Sequence, residues 1–473
     1  MISLRDPRRW LWRVPAFRHL TKGLDCSAAS LFLLCALAFT LPLSHSLSRI
    51  VLTLLLGGAL WLLRVQPGLW RNPVIIASFV WLCFIMAMAL RATLLGPDGE
   101  HIQSLGKHGL LALVPVVGLH AALVIERRGL ADADLGLLLL ACGSIGAAIL
   151  VLHDAEWSRG LAMFAHYNSG GGGFNRNFGA FLAGMSLIGL LTLSVLTASD
   201  YRLRPRTRWP LACAMALMSG LDALALVSME SRANWIAAGF AAPVWLLVLL
   251  IRLATIEGKT SGYQSAATAV LFFVPSIAIA LFFLPEIEHR MTAVGGSSET
   301  LRAILALVQG SPHADVIHFD PRFQLIRRAV ELIRANPIFG WGPDVSMLPG
   351  TVQTVSGPET HTQFHNGYLQ LIVHFGIVGL ALTGTLAFLI VRQWWTHRHD
   401  ALPSAPHDVA RACATAAAVS LLVYMAVVNL TESIIFVNAA SLALAIILGV
   451  MCSRGFAAGR SGSALSGGVL GGA

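Results

Sequence analysis

The residues best suited to chemistry are a histidine at the head of an apolar run and three arginines in loops on its side. In His365-Asn366-Gly367-Tyr368-Leu369-Gln370 a polar loop gives way to a run long enough to span a bilayer. His365 is therefore expected at a helix N-terminus on a membrane surface. Gly376 follows eleven residues later, which at about 100° per residue returns to nearly the same helix face. Gly379 lies within roughly 40° of that face. The two are expected to form a smooth glycine stripe, helix packing surface or lipid groove, beneath the histidine. His365 itself reads either as a satisfied interfacial histidine or as a base, and polar residues at membrane depth lean towards function.

Arg322 falls in the first turn of a helix that should start with Asp320 as N-cap and Pro321 at its first position. Pro337 ends that helix after Asn336, and Phe323, Ile326, Val330 and Ile333 form its apolar stripe. A guanidinium beside helix N-terminal amides makes an anion site, most naturally for phosphate. The bland alternative is a paired surface arginine. Arg232 lies in Glu230-Ser231-Arg232, a connection of a few residues between two spans, at the depth of lipid phosphates. It suits an anion, or a pairing with Glu230 or a headgroup. Arg176 follows the glycines that end at Gly173, whose backbone amides can face an anion or simply form a flexible loop.

One base and several cations beside a bilayer suit a substrate with a lipid diphosphate leaving group. Diphosphate departs readily once arginines neutralise it. A neutral imidazole can take the proton of an acceptor hydroxyl. His361 and His365 have the spacing of a metal pair, but Thr362 stands where a zincin helix has its glutamate, and no third ligand is evident. No metal and no cofactor are expected. Asp132-Ala133-Asp134 reads as the cap of a span on the opposite side, and the outer side has neither a GxSxG elbow nor a Walker loop.

The elements that must position these residues are membrane helices. The chain is 473 residues long, 56% hydrophobic and 12% charged, with a mean hydropathy of +0.71. Soluble proteins carry about 25% charged residues, so this is an all-α polytopic membrane protein. Apolar runs fall near 27–45, 50–63, 73–90, 109–125, 135–153, 178–198, 209–227, 234–251, 266–284, 367–391, 412–430 and 434–452, about twelve transmembrane helices. The first has a basic leader and reads as an uncleaved anchor.

The net charge of +9 is explained by arginines in alternate short loops, which makes the N- and C-termini cytoplasmic and leaves no case for nucleic acid. The seven cysteines lie in or beside apolar runs without CxxC spacing, so neither disulfides nor a zinc site is expected. The organisation expected is helices 1–9 over 1–284, a long periplasmic loop over 285–365, helices 10–12 over 366–452, and a disordered cytoplasmic tail over 453–473. Long loops are rare without function. Within this one, 298–309 also reads as an amphipathic helix, with Leu301, Ile304, Leu305 and Val308 on one face.

These features resemble the bacterial O-antigen ligase and polymerase superfamily. Its main signature is His-(Asn/Ser/Gln), nine residues, then Gly-x-x-(Gly/Thr/Tyr), matched here by His365-Asn366 and Gly376-Ile377-Val378-Gly379. Asn336-Pro337-Ile338-Phe339-Gly340-Trp341-Gly342 resembles the run that precedes the histidine in that family, and Ser231-Arg232 and Arg322 resemble its arginine positions. The resemblance implies a GT-C-type glycosyltransferase of the bacterial inner membrane. It would move O-antigen from undecaprenyl diphosphate to lipid A–core on the periplasmic face, metal-independent and inverting. It implies His365 as general base with Asn366 orienting it, and Arg232, Arg322 and Arg176 holding the diphosphate. An O-antigen polymerase or a protein O-oligosaccharyltransferase would use the same donor; the single long outer loop before His365 favours the ligase. A transporter would carry repeats and buried charges, but Asp222 is the one charge well inside a span.

Overall fold

The computed structural model describes residues 25–95, 105, 108–153, 176–200, 203–229, 231–255, 259–282, 321–343, 350–354, 357–361, 363–397, 405–434 and 437–466. The helix expected over 298–309 and the glycines before Arg176 lie outside them. The long helices are α1 (Cys26–Leu43), α2 (His45–Val65), α3 (Pro73–Leu95), α4 (Val114–Arg128), α5 (Asp132–His153), α6 (Arg176–Ser199), α7 (Pro205–Ser228), α8 (Arg232–Ala254) and α9 (Lys259–Phe282). After α10 (Pro321–Ala335) and a hairpin come α11 (Gly367–His397), α12 (Ala405–Thr431) and α13 (Asn438–Ser466).

Among the described residues eleven helices are long and apolar enough to cross a membrane. They are α1 to α8 and α11 to α13, and α9 adds a shorter described apolar stretch, Tyr263–Val274. Many large apolar side chains, such as Phe32, Leu217 and Phe388, are exposed along the spans, as a surface in lipid requires. The chain is a polytopic membrane protein.

The helix ends depart from the sequence expectation where polar residues are local caps rather than loops. Ser44 alone separates α1 from α2: its amide bonds the Thr40 carbonyl and its hydroxyl accepts from Leu47 at 3.4 Å. The second span therefore starts at His45 and gains a turn and a half that Ser46, Ser48 and Arg49 had disguised as loop. At the other end of the chain α13 continues past Cys452, with Ser453 and Phe456 buried and Phe456 against Gly118 of α4. The tail expected from 453 is helical to Ser466.

The helix α6 sits at the centre, almost wholly buried against α5, α7, α9 and α12. One face of the bundle is tied by Arg128–Asp25 at 2.6 Å and Arg454–Asp132 at 2.5 Å. The opposite face carries His365. There the structure is not wholly helical: β1 (Gly350–Thr354) pairs antiparallel with β2 (Gly357–His361), from Gly350↔His361 to Thr354↔Gly357. The all-α fold class holds, with this short hairpin as an addition to it. Thr351, Val352 and Thr354 are β-branched, and glycines bound the run, which is a strand signal.

Candidate active site

The segment before α11 is built to hold one histidine. Asn366 is the helix cap: its Oδ1 accepts from the amides of Tyr368 at 3.1 Å and Leu369 at 3.0 Å. Its Nδ2 donates to the Leu430 carbonyl at 2.9 Å, and the Tyr368 hydroxyl donates to that of Ala426 at 3.1 Å. Both carbonyls belong to the last turns of α12, so the head of α11 is pinned along the end of its neighbour. Gly367 permits the approach, because a Cβ there would overlap the Asn429 side-chain amide.

His365 sits just before this cap with φ 50°, the one positive φ among the described non-glycine residues. Such backbone costs on the order of 1–3 kcal/mol and persists where the surroundings enforce it, often at functional sites. What enforces it is visible: the Nδ1–H donates to Oε2 of Glu432 at 3.0 Å. The Glu432 side chain is 7% exposed and that of His365 29%. The hydrogen bond fixes the tautomer and leaves the Nε2 lone pair on the ring's open edge. The group that reaches His365 is thus Glu432, while the hydrogen bonds of Asn366 serve the cap and α12. His361, at the end of β2, stands edge-on to His365 with ring centroids 5.6 Å apart. Among the described residues no group of three His, Cys, Asp or Glu is placed to hold a metal ion.

The backbone positions of the three arginines fall at the starts of α6, α8 and α10. Arg232 is the first residue of α8, and Asn234, fully buried, organises the turn before it. Asn234 Nδ2 donates to the Ser231 hydroxyl at 2.7 Å and to the Asn177 carbonyl at 3.0 Å. Its Oδ1 accepts from the Tyr424 hydroxyl at 2.7 Å. The backbones of Arg176 and Arg232 are therefore joined through Asn177 and Asn234. Tyr424 lies about two turns before the end of α12 and Glu432 directly follows that end, so the turn at Arg232 and His365 lie at the same end of the bundle. Arg322 is the second residue of α10, one turn before Leu325. Leu325 packs in a cluster with Ala329, Leu332, Phe364 and Val373, so α10 lies against the residue next to His365. The side chains of Arg322 and Arg176 lie outside the described ones.

The glycine stripe is not what its spacing suggests. Gly376 has φ 62° and ψ −162°, so α11 is broken there rather than smooth. The surface it offers is filled by the chain itself. The Ile377 amide donates to the Pro337 carbonyl at 2.9 Å and that of Val378 to Ile338 at 3.1 Å. In return the amides of Trp341 and Gly342 donate to Val373 at 2.9 Å and His374 at 2.8 Å. The break frees backbone groups that a continuous helix would satisfy internally, and the Asn336–Gly342 turn satisfies them. A Cβ at Gly340, whose φ is 67°, would lie 2.6 Å from the His374 backbone. Arg91 of α3 donates to the Gly340 carbonyl at 3.2 Å and closes the turn from its other side. Gly379 packs beside Phe375 and Phe84 of α3.

Comparison with known families bears on this geometry. Residues 213–384 match the model of the O-antigen ligase family. Those residues carry the likeness to the O-antigen ligase family, and the rest of the chain lies outside the match. The matched residues include Arg232, Arg322, His365, Asn366, Gly376 and Gly379, and leave Arg176 and Glu432 outside. No curated protein matches the chain. Glu432 is the residue that sequence reasoning missed. The signal was an acid in the short connection between the last two spans, on the side of His365, where Glu230-Ser231-Arg232 had already drawn notice.

Proposed function

We propose that this protein belongs to the O-antigen ligase family and is a GT-C-type glycosyltransferase of the bacterial inner membrane that moves O-antigen from undecaprenyl diphosphate to lipid A–core on its periplasmic face. The observation that carries the reading is the His365–Glu432 pair, held in strained backbone at one end of the bundle with Nε2 uncommitted. Glu432 keeps the proton on Nδ1. Nε2 takes the proton of an acceptor sugar hydroxyl as its oxygen attacks the anomeric carbon of the donor glycan. The new C–O bond forms as the bond from that carbon to the diphosphate oxygen breaks, with inversion. The polyprenyl diphosphate leaves with the bonding electrons, and the proton passes from Nε2 to water.

In this reading Arg232, Arg322 and Arg176 bind the departing diphosphate, so the step needs no metal or cofactor. Asn366 acts by capping α11 and fixing the His365 turn, and Glu432 is a positioning residue. The test combines purified protein, undecaprenyl-diphosphate glycan, lipid A–core and a chelator. Wild type should glycosylate lipid A–core, and His365→Ala should lose about 10²–10⁴-fold in rate. Full transfer by His365→Ala would remove the mechanism. Lengthening of glycan on the polyprenyl carrier would mark a polymerase instead, and glycan appearing on added protein would mark a protein O-oligosaccharyltransferase.

A further inference from the structure

On the face opposite His365 a cavity of about 260 Å³ enters the bundle between α1, α5, α6, α12 and α13. Its lining on α5 runs from Asp132 to Ala147, about 22 Å of helix at 1.5 Å per residue. At that length it is a shaft one chain wide, and it exceeds the roughly 15 Å of hydrocarbon in one leaflet. Its walls are mostly Leu, Ala, Met, Ile and Val. The serines deep within do not make it a polar site, since the Ser186 hydroxyl donates to the Ser144 carbonyl at 3.1 Å.

The mouth differs from the walls. Asp132 opens α5, Arg252 stands near the end of α8, Trp394 near the far end of α11, and Arg411 near the start of α12. His365 and Glu432 lie at the other ends of α11 and α12. The acid at the mouth is already neutralised, because Asp132 pairs with Arg454 at 2.5 Å. Among the described residues Arg411 reaches Asp408 alone, at 3.8 Å, and no carboxylate pairs with Arg252. Two cations therefore stand over an apolar shaft at a membrane surface, with a tryptophan at interface depth.

We infer that this shaft binds one anionic glycerophospholipid of the leaflet facing away from His365, with its phosphate at Arg252 and Arg411 and an acyl chain along α5. Charge selects the headgroup: a zwitterionic lipid brings its own ammonium to a mouth already cationic. The site is separate from the transfer chemistry and stands whether or not that reading holds.

The test is native mass spectrometry of the full chain in detergent, titrated with phosphatidylglycerol or phosphatidylethanolamine of matched chains. Wild type should hold one phosphatidylglycerol in preference to phosphatidylethanolamine. Near a membrane surface each arginine contributes about 1 kcal/mol, so affinity should fall about five-fold for Arg252→Ala or Arg411→Ala and about 25-fold for both. Lysine at both positions should keep the preference, which separates charge from folding. Ala414→Leu with Ala418→Leu, which narrows the shaft and leaves the mouth intact, should also lower retention. His365→Ala should bind lipid as wild type does. Equal binding of the two lipids, unchanged affinity in the double alanine variant, or displacement by undecaprenyl phosphate at far lower concentration would each overturn the assignment.

Discussion

Replacing Gly376 by alanine tests whether the broken helix, rather than a small-residue stripe, is what this position supplies. At φ 62° and ψ −162° an L-residue is strained by about 1–3 kcal/mol. The added Cβ would overlap the Ile338 carbonyl and the Phe339 amide nitrogen, both backbone atoms that no rotamer change can move. Relief requires the Asn336–Gly342 turn to withdraw, which endangers four hydrogen bonds of 2.8–3.1 Å, each contributing about 1 kcal/mol. The combined cost is several kcal/mol, a large part of the ~5–15 kcal/mol that stabilises a typical domain. Gly384 is the internal control: it lies in the same helix with open space about it, and alanine there should be neutral or gain up to about 1 kcal/mol. Thermal unfolding of both variants in detergent, followed by tryptophan fluorescence, should show a large fall for Gly376→Ala and none for Gly384→Ala. Equal melting temperatures for wild type and Gly376→Ala would refute the reasoning, because a smooth stripe facing lipid tolerates a methyl group.

Three further outcomes are expected. Glu432→Gln should lower kcat by up to about 10⁴-fold, the size of the matching change in the Ser-His-Asp triad, with donor KM nearly unchanged. The glutamine amide can donate to Nδ1 and so move the proton to Nε2; a variant with wild-type kcat would show that Glu432 does not set the tautomer. Tyr424→Phe should cost about 1–3 kcal/mol, since it strands the buried Asn234 Oδ1, and it should raise donor KM by loosening the turn at Arg232. Unfolding and donor titration read the two effects, and an unchanged melting temperature would sink the first. Arg232→Ala should weaken donor use more than Arg232→Lys does, measured as kcat/KM, because lysine retains charge but not the two-pronged geometry. Equal rates for wild type and alanine would remove Arg232 from the site.

Hydropathy made the spans legible because each must bury a run of apolar residues in lipid. The errors fell where polar residues served local backbone needs, as at Ser44, or where a helix outlasted its apolar run, as at Ser453 and Phe456. His365 was legible from its type and its place at a span's head. Its partner was not, because Glu432 lies 67 residues on, just past the end of α12, and only the packing of α11 on α12 brings the two together. Gly376 was legible as important but misread in kind, while Gly379 does lie at a helix contact, beside Phe84 of α3. Helical periodicity assumes a continuous helix, and no periodicity announces the residue at which it stops being one. The hairpin escaped because a five-residue strand is a weak signal beside helices three to six times longer.

The broken helix explains why the histidine motif and the Asn336–Gly342 run belong together. A continuous α11 would bury its backbone groups in its own ladder and offer the outer loop only side chains. Gly376 instead exposes two carbonyls and two amides at a fixed depth, and the turn after α10 docks on all four. The end of α10 is thereby registered against α11 by backbone geometry, while its start is registered against Phe364 by Leu325. The distance from Arg322 to His365 is then set by two separate contacts on one rigid helix pair. If the proposed function holds, its diphosphate site and base stand on separate elements and need such a coupling, because about 1 Å of misplacement can cost about 10²-fold in rate. Loosening the turn at Gly340 or Gly376 should therefore slow transfer even where the fold survives. The defect should appear in kcat rather than in acceptor affinity, and a purely structural glycine would not give that split.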